Sequence, residues 1–73
     1  MKFNITDEKK KEAFQYVIFE LEKELMLRLY VLNIDPEDFD EDTFQPREDS
    51  TAEKDLYNLI IKIKDITEKM NSI

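Results

Sequence analysis

The sequence predicts an all-α protein, a two-helix antiparallel hairpin with a long acidic connecting loop. Two stretches carry apolar residues at intervals of three and four, the spacing of one helix face. Between them, about residues 34–50 are rich in Asp and Glu and contain both prolines of the chain. With 73 residues, 41% of them hydrophobic, and no cysteine, the chain is near the lower size limit for a core without disulfides. We therefore predict one helical domain over residues 1–73.

The first helix is predicted over about residues 7–33. Thr6 or Asp7 can accept a hydrogen bond at its N-terminus, and Pro36 disfavours helical geometry at the residue before it. One apolar row comprises Phe14, Ile18, Leu21, Leu25, Leu29 and Leu32. A second row comprises Tyr16, Phe19, Met26, Tyr30 and Ile34. Because one helix cannot cover both rows, we expect two hairpins to pair about a two-fold axis into a four-helix homodimer. A monomeric hairpin is the alternative.

The second helix is predicted over about residues 51–72. Ser50 to Glu53 reads as a capping box, with Ser50 as the N-cap and Glu53 reaching back to it. The apolar residues that follow at helical spacing are Leu56, Leu59, Ile60, Ile63, Ile66, Met70 and Ile73. The polar side of this helix is the wider one, which predicts an outer position in the bundle.

Negative charge is concentrated in the acidic segment, defined here as Asp35–Asp49. It holds eight acidic residues and one base, Arg47, so its net charge of −7 equals that of the whole chain. The rest of the chain is balanced, with ten acids and ten bases. Extended at ~3.3 Å per residue, its first eight residues would carry one charge per ~4–5 Å, close to the ~3.4 Å of one DNA strand. The connection also exceeds the usual ~2–8 residues between helices, which is typical of functional or disordered loops.

The composition disfavours catalysis, and we predict no enzymatic activity, no cofactor and no specific metal site. The chain lacks histidine, cysteine and glycine, which removes the commonest general base, the usual zinc ligands and phosphate-cradling loops. Asp38, Asp40 and Asp42 match the opening of an EF-hand loop, and Asp49 stands at its twelfth position. Thr43 replaces the glycine that such a loop needs, so we rank calcium binding low.

The charge also indicates the kind of partner. Nucleic acids and anionic membranes attract Lys and Arg, so a chain of net charge −7 is expected to bind neither directly and to favour a basic protein. The first residues, MKFNITDEKKK, lack the apolar core of a signal peptide, and no apolar run is long enough to span a bilayer. We therefore expect a cytoplasmic protein.

Short, helical, free of Cys and His, and with its charge in Asp35–Asp42, the chain resembles the small acidic proteins with which phages take over a host. In size, charge and hairpin pattern it is most similar to phage inhibitors of the bacterial DNA sliding clamp. The resemblance implies a homodimer in the bacterial host cytoplasm that imitates DNA, occupies the basic channel of the clamp and excludes DNA. The partner-binding residues we predict are Asp35, Glu37, Asp38, Asp40, Glu41, Asp42, Glu48 and Asp49, with Phe39 and Phe44 as apolar anchors or as residues that fix the loop.

Three other interpretations remain open. The chain is alternatively a helical dimerisation or adaptor protein, such as an antitoxin, that binds through apolar helix faces including Tyr16, Phe19 or Tyr57. The acidic segment is alternatively a solvated connection that only aids solubility. Finally, Gln15–Phe19 fits the loose pattern of peptides that dock on sliding clamps, although packing of the first helix explains these residues more simply.

Overall fold

The computed structural model describes residues 4–73, which form two α-helices and no strand. Helix α1 is Asp7–Val31 and helix α2 is Thr51–Asn71. The all-helical hairpin is confirmed, and the helices end two residues and one residue earlier than expected. The predicted domain began at residue 1, and its first three residues lie outside the described part. Neither helix is long and apolar enough to cross a membrane.

The core lies between the two helices and uses the first apolar row of α1. Leu21 packs with Leu59 and Ile63 at one end. Toward the loop, Leu29 packs with Leu56 and Ile60. The contacts shift toward the C-terminus of α1 as they shift toward the N-terminus of α2, so the two helices are antiparallel. Leu29 and Leu56 are the most deeply buried side chains, at 2% and 0% exposure.

The second apolar row of α1 remains uncovered over most of its length. Tyr16, Phe19, Met26 and Tyr30 are 68%, 57%, 53% and 80% exposed. Ile34 is the exception, since it packs against the Leu29 cluster. At ~100° per residue, the centre of the exposed row lies about 140° around α1 from the centre of the buried row. Helix α1 therefore has two apolar faces, and α2 covers only one of them.

Both helices begin at a side-chain cap. The Thr6 hydroxyl accepts a hydrogen bond from the Lys9 amide at 3.2 Å, and the Ser50 hydroxyl accepts one from the Glu53 amide at 3.2 Å. The second half of the predicted capping box is wrong, because the Ser50 amide donates to the Arg47 carbonyl instead. The Glu53 carboxylate accepts from Arg47 Nε at 2.8 Å, and a charged guanidinium is a stronger partner than a backbone amide.

Helix α1 ends in a Schellman motif centred on Asn33. Asn33 has φ 58°, in the left-handed region that normally favours glycine, and the chain has no glycine. The Asn33 amide donates to the Tyr30 carbonyl, and the Ile34 amide donates to the Leu29 carbonyl at 2.9 Å. Ile34 also packs against the cluster that contains Leu29, which is the apolar contact typical of this motif. The motif turns the chain out of the helix before Pro36.

Replacing Asn33 by valine is expected to lower the free energy of unfolding by about 1–2 kcal/mol, because a β-branched residue resists the left-handed conformation. The Asn33→Gly variant, which adopts this conformation freely, is the matched control and should be at least as stable as the natural chain. Urea denaturation followed by circular dichroism measures both. Equal stability of the Asn33→Val and Asn33→Gly variants would contradict this account of the helix end.

Candidate functional site: the acidic loop

The loop that joins the helices, residues 32–50, places every predicted acidic side chain at the surface. The exposed residues are Asp35, Glu37, Asp38, Asp40, Glu41, Asp42, Glu48 and Asp49. The backbone between them is folded into tight turns. The Asp35 carbonyl accepts from the Asp38 amide at 3.0 Å, and residues 41–43 form a second turn.

Two of the acids shape these turns with their own side chains. Asp35 Oδ1 accepts from the Glu37 amide at 3.0 Å, and Asp40 Oδ1 accepts from the Asp42 amide at 3.0 Å. Aspartate favours such turns because its short carboxylate bonds the backbone two residues on. The extended row of charges expected from the sequence is therefore wrong. The carboxylates lie on consecutive turns instead, so the spacing of a single extended strand does not describe them.

Phe39 and Phe44 attach the loop to the helices. Both rings are half-buried against the cluster of Leu29, Leu56 and Ile60. Their centroids are 5.3 Å apart with the planes tilted by 57°, a favourable aromatic geometry. Of the two roles considered for these residues, the structure supports fixing the loop. It leaves the neighbouring carboxylates facing solvent.

A second attachment joins the loop to α2 through charge. Lys64 Nζ donates to Asp42 Oδ1 at 2.8 Å, which ties the turn of residues 41–43 to the middle of the helix. This hydrogen bond raises the pKa of Lys64 above its ordinary value of 10.5, and the charges of Asp42 and Glu41 add to the effect. A raised lysine pKa means that the pair contributes fully below pH 10.5 and is lost as the pH rises through the folded-state pKa.

Replacing Lys64 by methionine is expected to loosen the turn without unfolding the protein. Amide hydrogen exchange at Asp42 should accelerate, because the turn then keeps only the hydrogen bond from this amide to Asp40 Oδ1. Lys62 is also an exposed lysine of α2 and makes no ion pair with a described residue, so the Lys62→Met variant is the matched control. Unchanged exchange at the Asp42 amide in the Lys64→Met variant would show that the ion pair does not hold the turn.

Most of the negative charge of the segment is uncompensated. Its one base, Arg47, pairs with Glu53 of α2 at 2.8 Å and not with an acid of the segment. Asp42 pairs with Lys64. None of the other seven acids forms an ion pair with a residue in the described range 4–73. They therefore present a concentrated negative surface held in place by two aromatic rings and one lysine.

The acids do not converge on a cation site. Within residues 4–73, no three carboxylates come close enough together to hold a metal ion. Two of the three that suggested an EF-hand are otherwise engaged, since Asp40 Oδ1 caps its turn and Asp42 Oδ1 binds Lys64. The resemblance to a calcium loop therefore does not extend to its geometry.

The structure also shows the conformation of the segment Gln15–Phe19 and the contact made by Lys64. Gln15–Phe19 lies in the middle of α1, so it is helical and not extended, and Ile18 is half-buried on the face toward α2. Lys64 is a part of the site that sequence reasoning missed. It lies 22 residues from Asp42 in a helix with several lysines, and no local spacing distinguishes it.

In comparisons with protein families, curated proteins and solved structures, nothing matches this chain. Its fold places it among all-helical hairpins. The acidic loop and the helix faces beside it are therefore the features of the molecule that indicate a function.

Proposed function

We propose that this protein is a non-enzymatic inhibitor that imitates DNA: it binds the basic DNA-binding surface of a host DNA-handling protein and excludes DNA. The observation that carries the proposal is the set of seven exposed carboxylates without ion-pair partners among the described residues. They stand on a loop that Phe39, Phe44 and Lys64 attach to the helices. Because this loop is already folded, binding costs less conformational entropy than it would for a disordered acidic tail.

Electrostatics determines the kind of partner. The helices and termini carry equal numbers of acids and bases, so the negative field of the molecule arises from one loop. Such a field attracts a cationic surface and raises the rate of encounter with it. A protein groove that binds DNA is lined with Lys and Arg, which a compact set of carboxylates can engage in place of phosphates.

The resemblance to phage inhibitors of the DNA sliding clamp supports one particular target. A clamp encloses DNA in a basic channel, and a homodimer of this chain would bring two acidic loops into such a channel. We propose the clamp as the first candidate and the bacterial cytoplasm as the compartment. The loop chemistry itself requires only a basic surface that normally holds DNA.

Capture from a bacterial lysate on the immobilised protein, eluted with increasing salt and identified by mass spectrometry, provides the partner for the test. Duplex DNA is then added to the purified complex. DNA should displace the protein, because both ligands need the same basic residues. A stable ternary complex of partner, DNA and this protein would contradict the proposal.

The exposed apolar face of α1 favours the second candidate, a helical dimerisation or adaptor protein of the antitoxin type. Tyr16 and Phe19 are well exposed and available for a partner, whereas Tyr57 is half-buried on α2. In this case partner binding should be nearly independent of salt and should fall when Tyr16 or Phe19 is replaced by alanine. Displacement by DNA is not expected.

A further inference from the structure

Helix α1 presents a continuous apolar surface to solvent, which we call the outer face and define as Tyr16, Phe19, Lys23, Met26, Leu27 and Tyr30. Five of these residues, all but Leu27, follow one another at intervals of three, four, three and four. That alternation is the spacing of a coiled-coil seam, in which each helix packs along one stripe of another. Lys23 is the single charged residue in the seam, and its Nζ lies 4.6 Å from the centre of the Phe19 ring.

The amount of exposed surface is large for a chain of this size. The protein exposes 6112 Å², whereas a compact monomer of 8.8 kDa exposes about 4,800 Å². Its radius of gyration is 15.0 Å, against about 11 Å for a compact domain of 73 residues. A small specific interface buries at least about 600 Å² on each partner. The excess is therefore sufficient for one such interface.

The outer face also has a groove that can accept a side chain from a partner. Between its loop-proximal end and the start of the loop lies an open groove of about 550 Å³. The groove is lined by Lys23, Met26, Leu27, Tyr30, Ile34 and Pro36. Its walls are almost entirely apolar, and its volume is enough to accept a large side chain from another helix.

We propose that a second copy of this chain covers the outer face, with its α1 antiparallel to the first α1. The two-fold axis passes between Lys23 and Met26, so Phe19 of the partner subunit lies beside Tyr30 and enters the groove. Each α2 then lies on the outside of a four-helix arrangement. This inference gives an interface to the homodimer of the proposed function, and it holds whatever the target of the acidic loop is.

Charge selects the antiparallel direction. In a parallel pair in register, Lys23 would face Lys23 of the partner subunit across the seam. In the antiparallel pair each Lys23 lies beside Met26 of the partner subunit, and its ammonium remains free to reach Glu20, 3.5 Å away in the same helix. A single lysine in an apolar seam is a feature that specifies register at some cost in stability.

The antiparallel arrangement also separates the C-termini of the two α1 helices. With the axis between Lys23 and Met26, Val31 lies opposite Ile18 of the partner subunit. The two α1 C-termini are therefore about 13 residues, or roughly 20 Å, apart along the helix. Each acidic loop folds back from there along its own hairpin, since Asp42 binds Lys64 in the middle of α2.

Sedimentation equilibrium of the purified protein alone, over about 1 μM to 1 mM, tests the interface without any target. The natural chain should be a dimer at the upper end of this range, and the Phe19→Glu and Tyr30→Glu variants should be folded monomers. Ile61 is an exposed apolar residue of α2, 49% exposed and off the seam, so the Ile61→Glu variant is the matched control and should still dimerise. A natural chain that stays monomeric, or a control that dissociates while the Phe19→Glu variant does not, would overturn the proposal.

The direction of pairing is tested by disulfide formation. Because the natural chain has no cysteine, only the introduced cysteines can form disulfides. A disulfide requires Cα atoms about 4.4–6.8 Å apart. The double variant Phe19→Cys, Tyr30→Cys should oxidise to a covalent dimer, whereas Tyr30→Cys alone should not. Rapid oxidation of the single Tyr30→Cys variant would instead show a parallel dimer. Neither experiment involves the acidic loop, so their failure would leave the proposed DNA mimicry to its own test.

Discussion

Replacing Asp38, Asp40 and Asp42 by asparagine together with Glu41 by glutamine is expected to weaken binding to the basic partner roughly 30- to 1,000-fold. The estimate takes about 0.5–1 kcal/mol for each exposed charge pair lost at the interface. The helices should stay folded, because asparagine caps turns as aspartate does and the one ion pair lost, Asp42 with Lys64, is exposed. The net charge changes only from −7 to −3. The dissociation constant at low salt is the measurement, with circular dichroism as the check on folding.

The control for this variant removes the same amount of charge from elsewhere on the protein. Glu8, Glu12, Glu22 and Glu68 are exposed helix residues, and their replacement by glutamine also brings the net charge to −3. If position matters, this control should bind within a few-fold of the natural chain. Equal weakening in both variants would mean that only total charge acts, and equal affinity in all three proteins would exclude the acidic segment from the interface.

Replacing Leu56 by alanine is expected to lower the free energy of unfolding by about 2–5 kcal/mol. Leu56 is fully buried between Leu29 and Ile60, and its truncation leaves a cavity where α2 meets both α1 and the loop aromatics. A domain of 73 residues has only about 4–11 kcal/mol of total stability. The variant should therefore lose a large part of that stability, with a marked fall in the denaturation midpoint.

Ile61→Ala is the appropriate comparison for Leu56→Ala. Ile61 belongs to the same helix but is half-exposed, and alanine is a better helix former, so the free energy of unfolding should change by less than about 1 kcal/mol. One denaturant titration of each protein measures this free energy of unfolding. Similar losses in the two variants would contradict the position assigned to the core.

The helices could be predicted from the sequence because their signals are local. The interval of three and four marked the buried row from Phe14 to Leu32. Ser50 marked the N-terminus of α2, and the pair Thr6 or Asp7 marked that of α1. The C-terminus of α1 was placed two residues late, since Pro36 limits where a helix can continue but does not fix its last turn. Asn33 fixes it, by adopting the left-handed conformation within the Schellman motif.

The conformation of the loop could not be predicted in the same way. Its turns depend on which Asp side chains bond the backbone, and its position depends on contacts with residues distant in sequence. Lys64 binds Asp42 across 22 residues, and Arg47 leaves the acidic segment to pair with Glu53. The sequence did identify which residues are acidic and that Phe39 and Phe44 could fix the loop, because composition and hydrophobicity are sufficient for that.

The residues that stabilise the fold are different from those of the proposed binding surface. The core consists of leucine and isoleucine side chains, and no charged or polar residue in the described part of the chain is buried. The carboxylates of the acidic segment contribute little to that core, so they can be changed with small effects on folding. This separation is what makes charge substitutions on the loop informative about binding.

The most direct test of the central claim is the dissociation constant of the natural protein and its captured partner, measured from about 50 to about 500 mM salt. If the acidic segment engages a surface that normally holds DNA, the dissociation constant should rise at least about tenfold over this range, because charge-driven association is screened. A dissociation constant that stays constant across the series, and that instead rises when Tyr16 or Phe19 is replaced, would contradict the DNA-mimic account.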